Sequence, residues 1–253
     1  MPRYLIVNAD DFGLSPGVNR GIIECAESGI LTSASLMVRW PAAAEAAAYA
    51  KQNRNISIGL HVDLGEWVLR NGEWEPLYHV VDTEDAKSVE TEIIRQFATF
   101  RRLLDRDPSH LDSHQHVHRN EPARSIMLKL AHELGIPVRE CDPRIRYCGD
   151  FYGQGAEGEH LPDAITVANL QQILISLPAG VTELGCHPGY DDGLQTPYRF
   201  ERAEEVRVLC NPAIQVYLKP VQIELNSFDT LPQSLREPTL FPVAHPRKVG
   251  NTG

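Results

Sequence analysis

Short apolar runs alternate with longer helix-like segments along most of the chain, and this alternation limits the possible folds more than any other feature. It predicts an α/β protein in which helices join strands that pair as a parallel sheet with right-handed crossovers. The predicted strands are 3–9, 33–38, 56–63, 110–114, 136–140, 182–187 and 221–226, and the predicted helices are 16–28, 41–52, 84–105, 121–134, 166–177 and 200–210. About seven such units favour a closed or nearly closed barrel over an open doubly wound sheet.

The length of the chain suits one barrel of this kind. With 253 residues, we expect a single domain over 1–253. The segments 64–82 and 143–163 interrupt the alternation and are predicted to be long loops. The Pro-rich end, 230–253, is expected to form a C-terminal tail.

Charge and composition argue against several classes of partner. The formal net charge is -10, which disfavours nucleic acid and anionic membrane surfaces because both attract basic proteins. No apolar stretch approaches the length of a membrane span, and the N-terminus lacks the pattern of a secretion signal. The five cysteines are an odd number without CxxC spacing, which is typical of reduced thiols. We therefore expect a cytoplasmic protein with no integral membrane segment.

Side chains that can bind metal occur where four predicted strands end. The first strand ends in NADD at 8–11, the third ends at His61, the fourth lies in HLDSHQHVH at 110–118, and the sixth ends at His187. Because side chains alternate between the two faces of a strand, His61 and His187 each share a face with small or polar residues. Such a face suits the inside of a barrel that leads to a site at the rim.

The segment HLDSHQHVH places five such side chains on one strand parity: His110, Asp112, His114, His116 and His118. The strand must end and turn within this run, so not all of them can be ligands of one ion. An Asp/His/His set forms a three-ligand site for a divalent ion and leaves positions for water and substrate. Imidazole ligands favour zinc, cobalt, manganese or iron over magnesium.

The adjacent acids Asp10 and Asp11 have distinct uses beside such an ion. One carboxylate can bind the ion, while its neighbour, kept ionised by the nearby positive charge, takes a proton from the attacking water. His187, across the site, is a candidate acid for the leaving amine.

Three further side chains are weaker candidates for contact with substrate. Arg139, at the end of the fifth predicted strand, can orient the base, bind substrate or form a surface ion pair. Tyr147 and Tyr152 lie in a segment rich in glycine and aromatic residues, where they can stack on a sugar ring or anchor a loop. The phosphate-binding P-loop GxxxxGK[ST] is absent.

The motifs NADDFGLS, GLHVDL, HLDSHQHVH and CHPG resemble those of the YdjC-like carbohydrate deacetylase family, which includes chitooligosaccharide deacetylases and deacetylases associated with hopanoid biosynthesis. The similarity runs from residue 3 to about 228. The resemblance implies a distorted TIM-like barrel that binds one divalent metal ion, magnesium or zinc, and that is often a homodimer. It also implies the site residues: Asp10 as general base, Asp11, His61 and His114 as metal ligands, and His187 as general acid.

The interpretation that follows is a metal-dependent hydrolase. It would remove the N-acetyl group from an acetylated amino sugar, either chitooligosaccharide-like or a glycolipid head group, and release acetate. Two alternatives remain at this point: another metallohydrolase or sugar isomerase on the same barrel, and a non-catalytic carbohydrate-binding protein.

Overall fold

Nine strands and seven helices make up the described part of the chain. The structure is a computed structural model and describes residues 2–231. The strands are β1 (Arg3–Phe12), β2 (Ser33–Leu36), β3 (Ser57–Val62), β4 (Gly65–Arg70), β5 (Glu73–His79), β6 (Leu111–Ser113), β7 (Ile145–Cys148), β8 (Gly180–Cys186) and β9 (Ile223–Leu225). The helices are α1 (Pro16–Ser28), α2 (Ala43–Gln52), α3 (Ala86–Leu104), α4 (Ala123–Leu134), α5 (Val167–Ser176), α6 (Glu201–Leu209) and α7 (Pro212–Leu218).

Seven of the strands form one parallel sheet in the order β6-β3-β2-β1-β8-β7, with β9 beside the start of β1. In a flat sheet β6 and β8 would be four strand spacings apart, about 19 Å. The guanidinium of Arg139 nevertheless contacts Asp112 in β6 at 2.7 Å and Glu183 in β8 at 2.8 Å. The sheet must therefore curl around Arg139, which confirms the predicted barrel-like α/β fold.

The two faces of β3 show how the sequence separates core from interior. Ile58 and Leu60 point outwards into the main hydrophobic core between sheet and helices. Gly59 points inwards, where a Cβ atom would lie 2.4 Å from the ring of His110. Only glycine leaves room for that ring, which also stacks on Phe228 with 3.8 Å between ring centroids. Phe228 belongs to a small apolar cluster with Ile6, Ile145, Val181 and Leu231.

One predicted strand is wrong. The segment 136–140 forms only a single bridge, between Leu111 and Val138, and the sheet strand that follows it is β7, inside the predicted loop 143–163. Pro137 cannot donate a ladder hydrogen bond, and Glu140 has a φ of 60° that ends the extended backbone. Regular pairing therefore starts again only at β7.

The predicted loop 64–82 contains a β-hairpin instead. Strands β4 and β5 pair antiparallel across Asn71 and Gly72, whose φ angles are 53° and 82°. Two central residues with positive φ make the type I′ turn for which Asn-Gly is the strongest sequence signal. Asn71-Gly72 therefore indicates a hairpin in the sequence, which the predicted loop does not take into account.

The predicted helices are confirmed to within two residues at either end, and α7 is an addition that was not predicted. Within 2–231, no helix is both long enough and apolar enough to cross a membrane. Of the predicted tail, 232–253 lies outside the described residues.

Candidate metal and catalytic site

A β-bulge near the end of β1 lets two adjacent acids face the same cleft. The pairing of β1 with β2 shifts register between Ala9 and Phe12, and Asp11 has a φ of 68°. In a regular strand the side chains of Asp10 and Asp11 would point to opposite faces. The bulge redirects one of them, so both carboxylates are buried in one site.

Asp11 lies next to two histidines from other strand ends. Its Oδ1 atom is 3.4 Å from His61 Nε2, at the end of β3, and 3.1 Å from His114 Nδ1, directly after β6. The ligand atoms of the three side chains all lie within 4.8 Å of one another. The structure therefore brings together the Asp/His/His set that the sequence predicts.

The hydrogen bonds around these imidazoles leave nitrogen atoms free to bind a metal ion. His61 Nδ1 is 2.8 Å from Asp112 Oδ1, which fixes the ring and turns Nε2 towards Asp11. A carboxylate behind a histidine is the usual support of a metal ligand. His114 turns Nδ1 towards Asp11, and its Nε2 atom, on the other side of the ring, lies 3.7 Å from Glu66. One carboxylate and two imidazoles are a donor set that fits a divalent ion.

The charges in the site also favour a cation. Burial lowers the pKa of His61, but the carboxylates of Asp112 and Asp10 outweigh it and raise that pKa to about 9. Burial also lowers the pKa of His114, but the charge of Asp11 outweighs it and raises that pKa well above its usual value. Both shifts show that the surrounding carboxylates stabilise positive charge at the position that the two imidazoles share.

Arg202 holds the other oxygen of Asp11. Its guanidinium donates to Asp11 Oδ2 at 2.6 Å and also to the backbone carbonyls of Tyr198 and His187. Burial raises the pKa of Asp11, but Arg202 and His114 hold it well below its usual value. Arg202 lies on α6, and no motif around it in the sequence indicates a residue of the site.

Asp10 has different partners. Arg139 donates to both of its oxygens at 2.7 Å, and Asn8 Nδ2 lies 3.0 Å from Oδ1. Burial raises the pKa of Asp10, but the charges of Arg139 and His61 outweigh it and hold that pKa below its usual value. The Arg139 side chain is fully buried behind Asp10, so its contacts fit an orienting role rather than binding of substrate or a surface ion pair.

His187 follows β8 and faces Asp10 from across the cleft. Its Nε2 atom is 3.8 Å from Asp10 Oδ2, and its ring lies against Tyr152 and Tyr198. Its backbone N–H donates to the carboxylate of Glu205, which fixes the strand end. Burial lowers the pKa of His187 to about 4, so the ring is neutral near pH 7.

The cleft above these residues has a volume of about 570 Å³ and is lined by aromatic side chains. Tyr152 stacks on Tyr198 with 4.4 Å between centroids and 7° between ring planes. Tyr147 lies over Arg139, whose guanidinium carbon is 4.8 Å from the ring centroid. Both predicted tyrosines therefore line the cleft, each already packed against a protein side chain.

The hairpin β4–β5 forms one wall of this cleft with Trp67 and Trp74. Gln115, in the turn after β6, holds the hairpin in place. The side-chain amide of Gln115 accepts a hydrogen bond from Trp67 N and donates one to Trp67 O, both at 2.8 Å. Glu66 reaches in from the same hairpin towards His114. The sequence predicts a loop at 64–82 and therefore predicts none of these four contributions.

The remaining histidines of the run lie apart from Asp11. His110 is inside the barrel, with Nε2 3.0 Å from Ser35 Oγ, and His116 and His118 both face Glu140. Strand β6 ends at Ser113, and the turn that follows it has positive φ at Gln115 and His116. This change of backbone direction separates the histidines of the run.

Comparison with known proteins identifies the family of the chain. The profile of the YdjC-like protein family matches residues 4–220. A carbohydrate deacetylase of Geobacillus stearothermophilus is 31% identical over 249 residues, covering 90% of this chain and 98% of its own. A chitooligosaccharide deacetylase of Serratia marcescens is 31% identical over 261 residues, covering 91% of this chain and 100% of its own.

Solved structures share the fold. A protein of Enterococcus faecalis, described as a candidate cellobiose-phosphate cleavage protein, superposes with a TM-score of 0.75 at 25% identity, covering 91% of this chain and 99% of its own. A family 4 carbohydrate esterase from Streptomyces lividans, solved with acetate, gives a TM-score of 0.55 at 12% identity, covering 90% and 94%, and shows the fold alone. On the family match and the two relatives, the chain belongs to the YdjC-like protein family.

Proposed function

We propose that this protein is a metal-dependent carbohydrate deacetylase that removes the N-acetyl group from an acetylated amino sugar. The observation that carries the proposal is the separation of two adjacent acids: Asp11 lies with His61 and His114, whereas Asp10 lies beside them with Arg139 and His187. This separation supports the proposal that one acid binds the ion and the other moves a proton. The names of the relatives, carbohydrate and chitooligosaccharide deacetylase, support the same substrate class.

Asp11, His61 and His114 would hold one divalent ion. When bound, such an ion supplies a Lewis acid that polarises the amide carbonyl and stabilises negative charge on its oxygen. Asp112 orients the imidazole of His61 from behind, Glu66 lies 3.7 Å from the far nitrogen of His114, and Arg202 keeps Asp11 ionised.

Asp10 would act as the general base. Because its pKa is held below the usual value, it is ionised at neutral pH and can accept the proton of the attacking water. Arg139 fixes both carboxylate oxygens, so the base has one orientation relative to the cleft. Attack forms the C–O bond of acetate and weakens the bond to the sugar nitrogen.

His187 would return the proton to the leaving nitrogen. It is neutral in the free protein, and its Nε2 lies 3.8 Å from Asp10 Oδ2. The proton that Asp10 takes from water can therefore pass to the amine by way of His187 as the carbon–nitrogen bond breaks. Water is consumed, and acetate and a free amine are released.

The walls of the cleft fit a sugar. Tyr152 and Trp67 present aromatic surface to it, and aromatic rings are good platforms for the apolar faces of sugars. We propose a chitooligosaccharide-like substrate or a glycolipid head group. We also propose that the ion is zinc or magnesium, that the protein acts in the cytoplasm, consistent with its five free cysteines, and that it forms a homodimer.

Acetate release from N-acetylglucosamine oligomers tests the proposal. We expect release by the protein as isolated with added metal, loss of at least 100-fold after treatment with chelator, and recovery when a divalent ion is restored. Release that is unaffected by chelator contradicts the metal-dependent mechanism. Sugar binding without turnover after metal is restored would instead identify a non-catalytic carbohydrate-binding protein.

A further inference from the structure

Two histidines of the HLDSHQHVH run, which the proposed reaction does not use, converge on one carboxylate. His116 Nδ1 and His118 Nε2 each lie 3.8 Å from Glu140 Oε2, and the three ligand atoms are all within 4.8 Å of one another. Hydrogen bonds between nitrogen and oxygen are 2.7–3.2 Å long, so neither contact is a hydrogen bond. The gap between the three atoms is wide enough to admit an ion.

Both nitrogen atoms are buried and have no hydrogen-bond partner among residues 2–231. The side chain of His118 is fully buried, while those of His116 and Glu140 are 27% and 30% exposed. A buried polar atom without a partner costs free energy, and such atoms in native structures usually have a ligand or water. Here two of them face the same point.

The surroundings of His118 suit a metal ligand. Ser113 Oγ lies 2.6 Å from His118 Nδ1, so the ring can donate from Nδ1 and keep the Nε2 lone pair free. His61 has the same arrangement in the other cluster, with Asp112 behind Nδ1. Fixing one imidazole nitrogen with a hydrogen bond so that the other can bind metal is a general feature of histidine ligands.

We propose that His116, His118 and Glu140 form a second divalent cation site, separate from the Asp11 cluster. Two imidazoles and one carboxylate are ligands that zinc prefers. Around tetrahedral zinc, ligand atoms are separated by about 3.4 Å, so each 3.8 Å separation needs a contraction of about 0.4 Å. The ion would connect the turn after β6 to the backbone around Glu140.

The charges predict that this site binds more weakly than the Asp11 cluster. Arg119 donates to both oxygens of Glu140 at 2.6 and 2.8 Å and offsets part of its charge. The charge of nearby Arg139 is offset by the three carboxylates that it contacts. Glu140 is the one carboxylate of this site, and the positive charge of Arg119 balances its negative charge. The site therefore has no excess of negative charge to attract a cation.

Zinc titration of the full chain, followed by calorimetry, tests the second site. We expect two classes of zinc site in the wild type, with Glu140→Gln lowering the affinity of the weaker class at least tenfold and leaving the stronger class unchanged. His114→Asn should have the opposite effect and weaken only the stronger class. Glu133→Gln, on the exposed face of α4, is the matched control and should bind zinc as the wild type does.

Anomalous scattering at the zinc edge from wild-type crystals locates the ion without any variant. A peak between His116, His118 and Glu140 supports the proposal. His116→Gln gives a second, partly exposed substitution in case Glu140→Gln disturbs the ion pair with Arg119. Identical zinc binding by wild type, Glu140→Gln and His116→Gln, or an anomalous peak at the Asp11 cluster alone, overturns the proposal.

Discussion

Asp10 and Asp11 are neighbours in the sequence but have different surroundings in the fold. Asp11 faces two imidazoles at 3.1 and 3.4 Å and one arginine. Asp10 faces a bidentate arginine at 2.7 Å, with the closest histidine contact, His187, at 3.8 Å. Two identical side chains therefore differ in what they can do, and one bulged residue in β1 produces the difference.

One short motif at a strand end therefore gives two adjacent carboxylates different surroundings. The left-handed backbone at Asp11 redirects a single side chain, and the barrel then surrounds the two carboxylates with residues from different strands. Neighbouring acids would repel each other in isolation. Arg139 and Arg202 each neutralise one of them.

Substitution of the base should have the largest effect on turnover. We expect Asp10→Asn to lower kcat for acetate release by about 10²–10⁴-fold, because asparagine cannot accept the proton from water. The matched control is Asp163→Asn on the exposed surface, which should stay within about twofold of the wild type in the same assay. Activity of Asp10→Asn near that of the control would remove Asp10 from the mechanism.

The two arginines should differ in their contribution to folding. Arg139 contacts three buried carboxylates, whereas Arg202 contacts one, so Arg139→Met leaves more uncompensated charge. We expect it to lower the free energy of unfolding by about 3–5 kcal/mol. Arg202→Met should cost less, and urea unfolding of both variants measures the difference. Equal costs would contradict the idea that the Asp10 side depends more on its arginine.

The carboxylates behind the two imidazoles should also differ. Asp112 is 2.8 Å from His61 Nδ1, whereas Glu66 is 3.7 Å from His114 Nε2. We expect Asp112→Asn to weaken binding of metal at the Asp11 cluster by about 10–100-fold, as loss of such support generally does. Glu66→Gln should weaken it less. Calorimetric titration with zinc measures the affinity of both variants. A larger loss of affinity in Glu66→Gln than in Asp112→Asn would contradict the expected order.

The smallest effect is a pH dependence of stability on the Asp10 side. Burial raises the pKa of Glu183 to about 7 from an ordinary 4.5, so the folded state binds more protons than the unfolded state between these values. Stability must then fall as pH rises through this window, by about 1 kcal/mol between pH 6 and 7 from this residue. Glu183→Gln should make the stability curve flatter there. An unchanged slope in urea unfolding would contradict the raised pKa.

The sequence predicted those site residues that belong to motifs at strand ends. Asp10, Asp11, His61, His114 and His187 each lie at or next to the end of a predicted strand, and parallel strands bring their carboxyl ends to one rim. The structure places all five around one cleft.

Residues that reach the site from elsewhere were not predictable in this way. Arg202 comes from a helix, Glu66 lies on the hairpin that replaces the predicted loop 64–82, and Gln115 binds to that hairpin. Their contacts depend on how distant segments pack, which local patterns do not encode. The predicted strand at 136–140 was wrong for a related reason, since an apolar run containing Pro137 pairs at one point only.

The division of labour between Asp10 and Asp11 can be tested most directly by measuring zinc binding for Asp10→Asn and Asp11→Asn side by side. To isolate the Asp11 cluster, both substitutions are made in the Glu140→Gln background. We predict that Asp11→Asn lowers zinc affinity at least 100-fold, whereas Asp10→Asn stays within a few-fold of its parent although it has lost turnover. Equal loss of zinc affinity in both variants, or loss in Asp10→Asn alone, would contradict the account.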